Sequence, residues 1–282
     1  MEDMFDRGLI AKQMLQKINV YCQEKFDDGH RSHLGASLIG HECARYLWYT
    51  FRWCQHTVHS GTLYRLFQRG HREEVYLVEY LTAIGCKISE FQEDGVTQHR
   101  ISDCEGHFGG SLDGRGYLPP EFNYNEEVLF EFKTINQKGH SKLETEGMPK
   151  NKPQHFGQTS TYGYKNGFKY CCYVSVNKNT DEIYLELVEL DWEVGKECLR
   201  KAEYVINAPT PPQKLSQTST FWKCKFCDMA SICHHDRDID KNCRSCANAE
   251  PVANGEWQCS VHGIIPKEYL ANGCEENWVG VQ

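Results

Sequence analysis

The chain has 282 residues, a formal net charge of −8 and 15 cysteines. This length allows one sizeable core and a smaller module. The acidic balance excludes a uniformly basic surface, so any nucleic-acid contact must be local, within a groove. The N-terminal residues MEDMFDRGLI lack the basic and apolar regions of a signal peptide, and no run is long enough to span a membrane. We therefore expect a cytoplasmic protein.

The first third of the chain predicts helices. Apolar residues recur at helical spacing over 4–26, over the aromatic-rich stretch that follows Ser37, and over 62–84. Gly70 lies inside the third helix, where glycine costs about 1 kcal/mol relative to alanine, so we expect a close backbone or ligand there. His71 and Glu74 follow on adjacent turns, and either can reach a shared metal ion.

A strand with two different faces is predicted at VLFEFKTI, after short β-like runs at 86–91, 98–103 and 107–113. Phe130 and Phe132 fall on one face of this strand and predict a core. Glu131 and Lys133 fall on the opposite face.

The Gly-, Pro- and Asn-rich stretch 114–127 predicts a turn that pairs this strand with run 107–113 and brings Asp113 beside Glu131. Two neighbouring carboxylates repel each other unless a cation lies between them. Oxygen ligands suit Mg²⁺ or Mn²⁺, and Lys133 beside such an ion would orient water or stabilise developing charge. A solvated hairpin with ordinary surface charges is the alternative.

The second half alternates helices and strands. Residues 136–152 predict an exposed loop, and a helix follows from Pro153, with Gln158 and Tyr162 on one face. The runs FKYCCYVSV and EIYLELVEL predict two strands, and WEVGKECLRKAEYVIN predicts a helix. The stretch APTPPQKLSQTST is then a linker. The order predicts an α/β fold with a central mixed sheet flanked by helices.

Four motifs in this order, RGHREEVYLVEYL, LDG, EFK and QTSTY, resemble those of the RecB-like branch of the PD-(D/E)XK nucleases. The resemblance spans roughly residues 35–235 and implies an α/β restriction-endonuclease-like core, which the order of the predicted elements matches. It implies that Glu74, Asp113 and Glu131 are metal ligands and that Lys133 is the catalytic lysine. It also implies that the helix of Gln158 and Tyr162 flanks the catalytic site.

The chain departs from the family pattern at two positions. Leu112 stands where a proline usually precedes the Asp, and Glu74 stands where many RecB-like nucleases carry a His. A Glu there is typical of phage recombination exonucleases. His71 stays open as an alternative metal ligand.

The cysteine spacing predicts two metal sites, since an intracellular chain is a poor candidate for a disulfide framework. Cys224, Cys227 and Cys233 supply three thiolates. The resemblance implies Cys43 as the fourth ligand, around a 4Fe–4S cluster, whereas four thiolates also bind Zn²⁺. His234 and His235 offer a competing ligand.

The second cysteine group has the spacing of a zinc ribbon. Cys243 and Cys246 form one pair, and Cys259 with His262 forms the other. Cys274 is an alternative to His262 as the fourth Zn²⁺ ligand. Because this tail has few aliphatic residues, we expect it to need the metal in order to fold.

The predicted divisions are a helical region with Cys43 at 1–60, the nuclease core at 61–206, a linker and cysteine cluster at 207–240, and the zinc-ribbon-like module at 241–282.

The resemblance implies a Mg²⁺- or Mn²⁺-dependent DNA nuclease, an exonuclease rather than an endonuclease, in phage or bacterial DNA recombination, repair or processing. DNA is the expected partner, with a recombination or replication protein as a further one. A non-catalytic DNA-binding module on the same fold is the alternative.

Overall fold

The computed structural model describes residues 6–281. Residues 4 and 5 of the predicted helix 4–26 therefore lie outside the described residues. The same holds for residues 1–5 of the first predicted division and for residue 282 of the last. The helices are α1 Arg7–Phe26, α2 Ala36–Ile39, α3 Ala44–Phe51, α4 Gly61–Ala83, α5 Gln137–Asn151, α6 Pro153–Asn166, α7 Trp192–Asn207, α8 Trp222–Lys225 and α9 Ala230–His234. The strands are β1 Leu34–Gly35, β2 Lys87–Ser89, β3 Arg100–Asp103, β4 Phe108–Ser111, β5 Gly114–Tyr117, β6 Val128–Ile135, β7 Tyr170–Asn177, β8 Ile183–Glu189, β9 Ala249–Val252, β10 Glu256–Cys259 and β11 Gly263–Ile265.

The central sheet has five strands in the order β2-β5-β6-β7-β8. Strands β6 and β7 pair in parallel, and the other neighbours pair antiparallel. The predicted fold class, a central mixed sheet flanked by helices, is confirmed. Strand β6 is the middle strand, so its backbone is hydrogen-bonded on both edges.

The two faces of β6 belong to different parts of the core, as the alternating pattern predicts. Phe130 and Phe132 pack in one cluster with Leu77 and Leu81 of α4. Leu129 lies in the other cluster. Glu131 shares that second face, since side chains alternate along a strand.

The predicted pairing of run 107–113 with β6 is wrong. Strand β4 pairs instead with β1 and β3 in a separate small sheet. The partner of β6 is β5, which lies inside the predicted turn and contains Gly114 and Gly116. Glycine is required there because a Cβ on Gly116 would lie 1.7 Å from the Lys87 carbonyl oxygen of the neighbouring strand.

The loop predicted at 136–152 is instead helix α5. Asn136 caps it, because its Oδ1 accepts a hydrogen bond of 2.8 Å from the Gly139 amide. Leu143 and Met148 are fully buried. The polar composition hid these two core positions, and Gly147, at φ 74°, interrupts the helix between them.

The C-terminal segment forms a three-stranded antiparallel sheet, β9-β10-β11. Its Trp257 is fully buried and joins the same apolar cluster as Phe51 and Phe108. Residues 249–265 therefore pack directly on the main body of the molecule. Within residues 6–281, no helix is long and apolar enough to cross a membrane.

Gly70 has free space where a Cβ would lie, with nothing within 4 Å, so the expected close backbone is absent from the described residues.

Gly70→Ala should raise the free energy of unfolding by up to about 1 kcal/mol, because alanine is the better helix former. Gly116→Ala should lower it by about 3 kcal/mol, because the added methyl meets a backbone carbonyl. Urea unfolding of the two variants checks this pair, and equal midpoints would contradict the assignment of β5.

Candidate active site

Asp113 and Glu131 lie together at the start of β5 and the middle of β6. Asp113 Oδ2 accepts a hydrogen bond of 2.9 Å from the Phe132 amide. Lys133 Nζ contacts the Glu131 carboxylate and lies 3.6 Å from Asp113 Oδ2. The structure therefore brings Asp113 of the LDG motif together with Glu131 and Lys133 of the EFK motif. The strand that pairs with β6 is β5, however, and not the predicted run 107–113.

Glu131 is fully buried, with 0% exposure. Its Oε1 is paired with Lys133, but its Oε2 is buried and has no hydrogen-bond partner within the described residues. Burial, and then the charge of Asp113, raise the pKa of Glu131 to about 7. For Lys133, burial acts to lower the pKa, but Glu131 and Asp113 outweigh it and raise the pKa. The site holds more negative charge than one lysine neutralises.

Helix α4 places Glu74 beside this pair. Burial, followed by the charge of Asp113, raises the pKa of the half-buried Glu74. His71 is exposed one turn earlier and borders the same groove. Glu90, just after β2, is a further carboxylate whose pKa is raised by burial and by Asp113. Sequence reasoning missed Glu90 because it has no motif and reaches the site only through the pairing of β2 with β5.

Helix α6 forms another side of the site. The Tyr162 hydroxyl donates a 2.9 Å hydrogen bond to the Ser111 carbonyl, two residues before Asp113. Gln158 Nε2 lies 3.5 Å from the same hydroxyl. Gly110 allows this approach, since a Cβ there would lie 2.5 Å from the Tyr162 hydroxyl. The Gln and Tyr of the QTSTY motif thus support the backbone that carries Asp113.

The site lies in an open groove of about 850 Å³ bordered by Asp113, Glu74 and Lys133. A second cavity of about 490 Å³ continues from it and shares Arg31, His71, Glu74 and Lys133. The groove is also bordered by three residues that the sequence motifs did not indicate, Arg31, His33 and His155. Each lies outside the four motifs, so only the folded chain brings them here.

His155 hydrogen-bonds to a tyrosine on the neighbouring strand. Its Nδ1 lies 2.9 Å from the hydroxyl of the buried Tyr173. Burial, and then the nearby charge of Lys133, lower the pKa of His155 to about 3. The ring is therefore neutral near pH 7 and offers a hydrogen bond rather than a charge to the groove.

The four cysteines of the first predicted metal site border one small cavity. Cys43, Cys224, Cys227 and Cys233 line it, and so does His234, the competing ligand. The Tyr46 amide donates to Cys43 Sγ at 3.4 Å. The fold thus brings Cys43 to the C-terminal trio despite their separation along the chain.

The second predicted metal site is also gathered around one cavity. Its lining includes all five candidates, which are Cys243, Cys246, Cys259, His262 and Cys274. The choice between His262 and Cys274 stays open. Within residues 6–281, no three or more His, Cys, Asp and Glu side chains are grouped closely enough to enclose a metal ion by themselves.

No protein family and no curated protein matches the sequence. Solved structures with a similar backbone include the alkaline exonuclease LHK-Exo from Laribacter hongkongensis, at 17% identity and a TM-score of 0.44, over 67% of this chain and 90% of that one. The structure of LHK-Exo in complex with dAMP is 17% identical, with a TM-score of 0.45, over 67% of this chain and 90% of that one. The structure of SSO0001 is 14% identical, with a TM-score of 0.42, over 78% of this chain and 96% of that one. At TM-scores below 0.5, the function has to be inferred from the site.

Tyr162→Phe should lower the free energy of unfolding by about 1–3 kcal/mol, because the Ser111 carbonyl loses a buried donor. Tyr164→Phe on the same helix is the matched control, since Tyr164 is 37% exposed, and it should change stability by less than about 0.5 kcal/mol. Urea unfolding followed by circular dichroism measures both. Equal effects of the two substitutions would show that the hydroxyl of Tyr162 does not support the strand.

Proposed function

We propose that this chain is a Mg²⁺- or Mn²⁺-dependent DNA nuclease of the PD-(D/E)XK type, acting as an exonuclease at DNA ends or on single strands. The observation that carries the proposal is the buried, unpaired Oε2 of Glu131 beside Asp113 and Lys133. A buried carboxylate oxygen without a partner is costly unless a cation or donor occupies the site during function.

The residues present fit a divalent metal ion. Asp113 and Glu131 are oxygen donors, and the site already accepts the positive charge of Lys133 between them. Mg²⁺ in proteins commonly takes one or two carboxylates and fills its remaining positions with water and substrate phosphate. Two carboxylates are therefore sufficient, with Glu74 as a further ligand and His71 as its alternative. When bound, the ion would supply Lewis-acid activation of the phosphodiester and of the attacking water.

The chain's own residues have distinct roles in this proposal. Lys133 would orient the attacking water and stabilise the negative charge that develops on the phosphate. The Phe132 amide fixes Asp113 by a 2.9 Å hydrogen bond. Tyr162 and Gln158 hold the backbone before Asp113. Preorganised groups of this kind lower the barrier because they need no rearrangement during the reaction.

The groove supports a polymeric phosphate substrate. It continues on both sides of Lys133, so a strand can extend past the site. Beyond the carboxylates at the centre, its lining includes Arg31, His33 and Gln154. A chain of net charge −8 would then contact DNA mainly through this local surface, with bound metal offsetting the carboxylates.

We propose further that Cys43, Cys224, Cys227 and Cys233 hold a 4Fe–4S cluster or Zn²⁺ with a structural role. Support comes from their shared cavity and from the donor set itself, since four cysteines can bind either metal. The Tyr46 amide also donates to Cys43 Sγ at 3.4 Å and so fixes the position of that sulfur.

Lys133→Ala should lower the cleavage rate by about 10²-fold or more, because it removes the charge beside the reacting phosphate. Glu131→Ala should have an effect at least as large. The measurement is degradation of 5′- and 3′-end-labelled single- and double-stranded DNA with Mn²⁺, using anaerobically purified protein. Lys165→Ala is the matched control, since this lysine pairs with Asp103 on the surface, and it should retain full activity.

The same assay separates the rival functions. Release of labelled mononucleotides from one end supports the exonuclease, whereas internal fragments would indicate an endonuclease. DNA binding by the folded wild type without metal-dependent cleavage would favour the non-catalytic module. Mn²⁺ at 100 times its Kd should stabilise the wild type by about 2.7 kcal/mol, and an equal gain in Glu131→Ala would remove Glu131 from the metal site.

Cys227→Ser should reduce bound iron or zinc and lower the thermal midpoint, because it removes one thiolate from the first cysteine site. Cys104→Ser is the control, since Cys104 borders neither cysteine cavity. Metal analysis and the visible absorbance of the purified protein give the result. Unchanged metal content in Cys227→Ser would exclude this cysteine as a ligand.

A further inference from the structure

Arg244 is a fully buried arginine, with 0% exposure, at the start of the C-terminal segment. Its guanidinium donates to the main-chain carbonyls of Ser32, at 2.8 Å, and of Phe51, and lies 3.5 Å from that of Arg31. It also packs against the rings of Phe51, Trp53 and Trp257, which lie 4.3–4.6 Å from its central carbon. Carbonyls and aromatic faces therefore take the place of an acidic partner.

Arg52 makes the reverse contact. It is 4% exposed and donates from the main body to the carbonyls of Cys246, at 2.7 Å, and Ala249, at 3.0 Å. Its guanidinium also stacks on Trp257. The two arginines thus join the same two parts of the chain, but only Arg244 holds residues 31 and 32.

Residues 31–33 form one wall of the proposed DNA groove. The side chains of Arg31 and Ser32 are exposed and border the groove, as does His33. Their backbone faces the other way, where the Arg31 carbonyl also accepts from Trp53 Nε1 at 2.8 Å. The wall is therefore fixed from behind by its carbonyls while its side chains stay free for a substrate.

Arg244 lies between Cys243 and Cys246, two of the five residues gathered around the C-terminal cavity. The Val279 amide donates to Cys246 Sγ at 3.4 Å, and Cys243 Sγ lies 3.5 Å from the Tyr269 carbonyl oxygen. Four cysteines and one histidine around one cavity are ligand types that Zn²⁺ prefers. A metal bound here would fix the turn that carries Arg244.

We propose that the segment 240–281 is a Zn²⁺-stabilised support that positions the Arg31–His33 wall through Arg244, and that Arg31 binds a DNA backbone phosphate from this wall. Zn²⁺ would be held by Cys243, Cys246 and Cys259 with His262 or Cys274 as the fourth ligand. Arg244 is a positioning residue in this arrangement. The DNA part rests on the proposed function, whereas the support of the wall does not.

The link between Arg244 and the wall is tested without DNA. Hydrogen exchange of the wild type, Arg244→Lys and Arg52→Lys is followed by mass spectrometry. A lysine keeps the charge but cannot reach three carbonyls with the planar fork of arginine. Exchange at residues 31–35 should rise at least tenfold in Arg244→Lys and stay near the wild-type rate in Arg52→Lys. An equal rise in both, or in neither, would overturn the positioning role.

The link to substrate is tested by DNA affinity, with Ca²⁺ replacing Mg²⁺ so that cleavage is suppressed. Arg31→Ala should weaken binding of a fluorescent oligonucleotide about tenfold and lower the salt slope by about one. Arg244→Lys should weaken binding similarly, and the double variant should bind within about threefold of Arg31→Ala. Arg52→Lys should bind as the wild type does. Multiplying effects in the double variant would show that the two arginines act independently.

Zinc content and chelation complete the test, and they apply even if Arg244→Lys fails to fold. Cys243→Ser should lose one Zn²⁺ per chain relative to the wild type, and an unchanged content would overturn the metal site. Removing Zn²⁺ from the wild type should weaken DNA binding to the level of Arg31→Ala and leave Arg31→Ala nearly unchanged. Equal losses in both proteins would overturn the proposed coupling. Failure of the wild type to bind any DNA would instead contradict the proposed nuclease, while the exchange result would still stand.

Discussion

The burial of the Glu131 carboxylate in the middle strand of the sheet is the constraint on which the site depends. An ionised carboxylate at 0% exposure is costly unless positive charge and donors surround it. Lys133 satisfies one of its oxygens and lies within 3.6 Å of Asp113. The neighbouring strands β5 and β7 fix β6 on both edges, so the charged groups cannot separate to relieve their repulsion. The sheet therefore maintains an arrangement that a cation would stabilise.

The parts of the fold that the sequence predicts are those governed by local periodicity. The alternation in VLFEFKTI predicts which side chains of β6 face the α4 cluster, and Phe130 and Phe132 lie there. Helix α4 begins at Gly61, within one residue of its predicted start. The motifs around Asp113, Glu131 and Tyr162 predict a common location, and the structure brings these side chains together. Their catalytic roles stay predictions.

The parts that the sequence did not predict depend on contacts between distant residues. Glycines in β5 resemble a turn in composition, and only the close neighbouring backbone at Gly116 shows why a strand needs them. His155 reaches the groove through helix packing, and Glu90 comes near Asp113 through strand pairing. Neither kind of contact leaves a motif. The same holds for Arg31, whose position depends on Trp53 and Arg244.

Arg244 and Glu131, two of the buried charged side chains, are satisfied in opposite ways, and this difference separates support from chemistry. Burial lowers the pKa of Arg244, and the main-chain carbonyls that it contacts do not titrate. The contact to the wall therefore does not depend on an acidic partner. Glu131 has a buried oxygen without a hydrogen-bond partner in the described residues, and burial, followed by the charge of Asp113, raises its pKa to about 7. A fixed wall beside a responsive carboxylate suits a site that binds a charged substrate and a metal ion together.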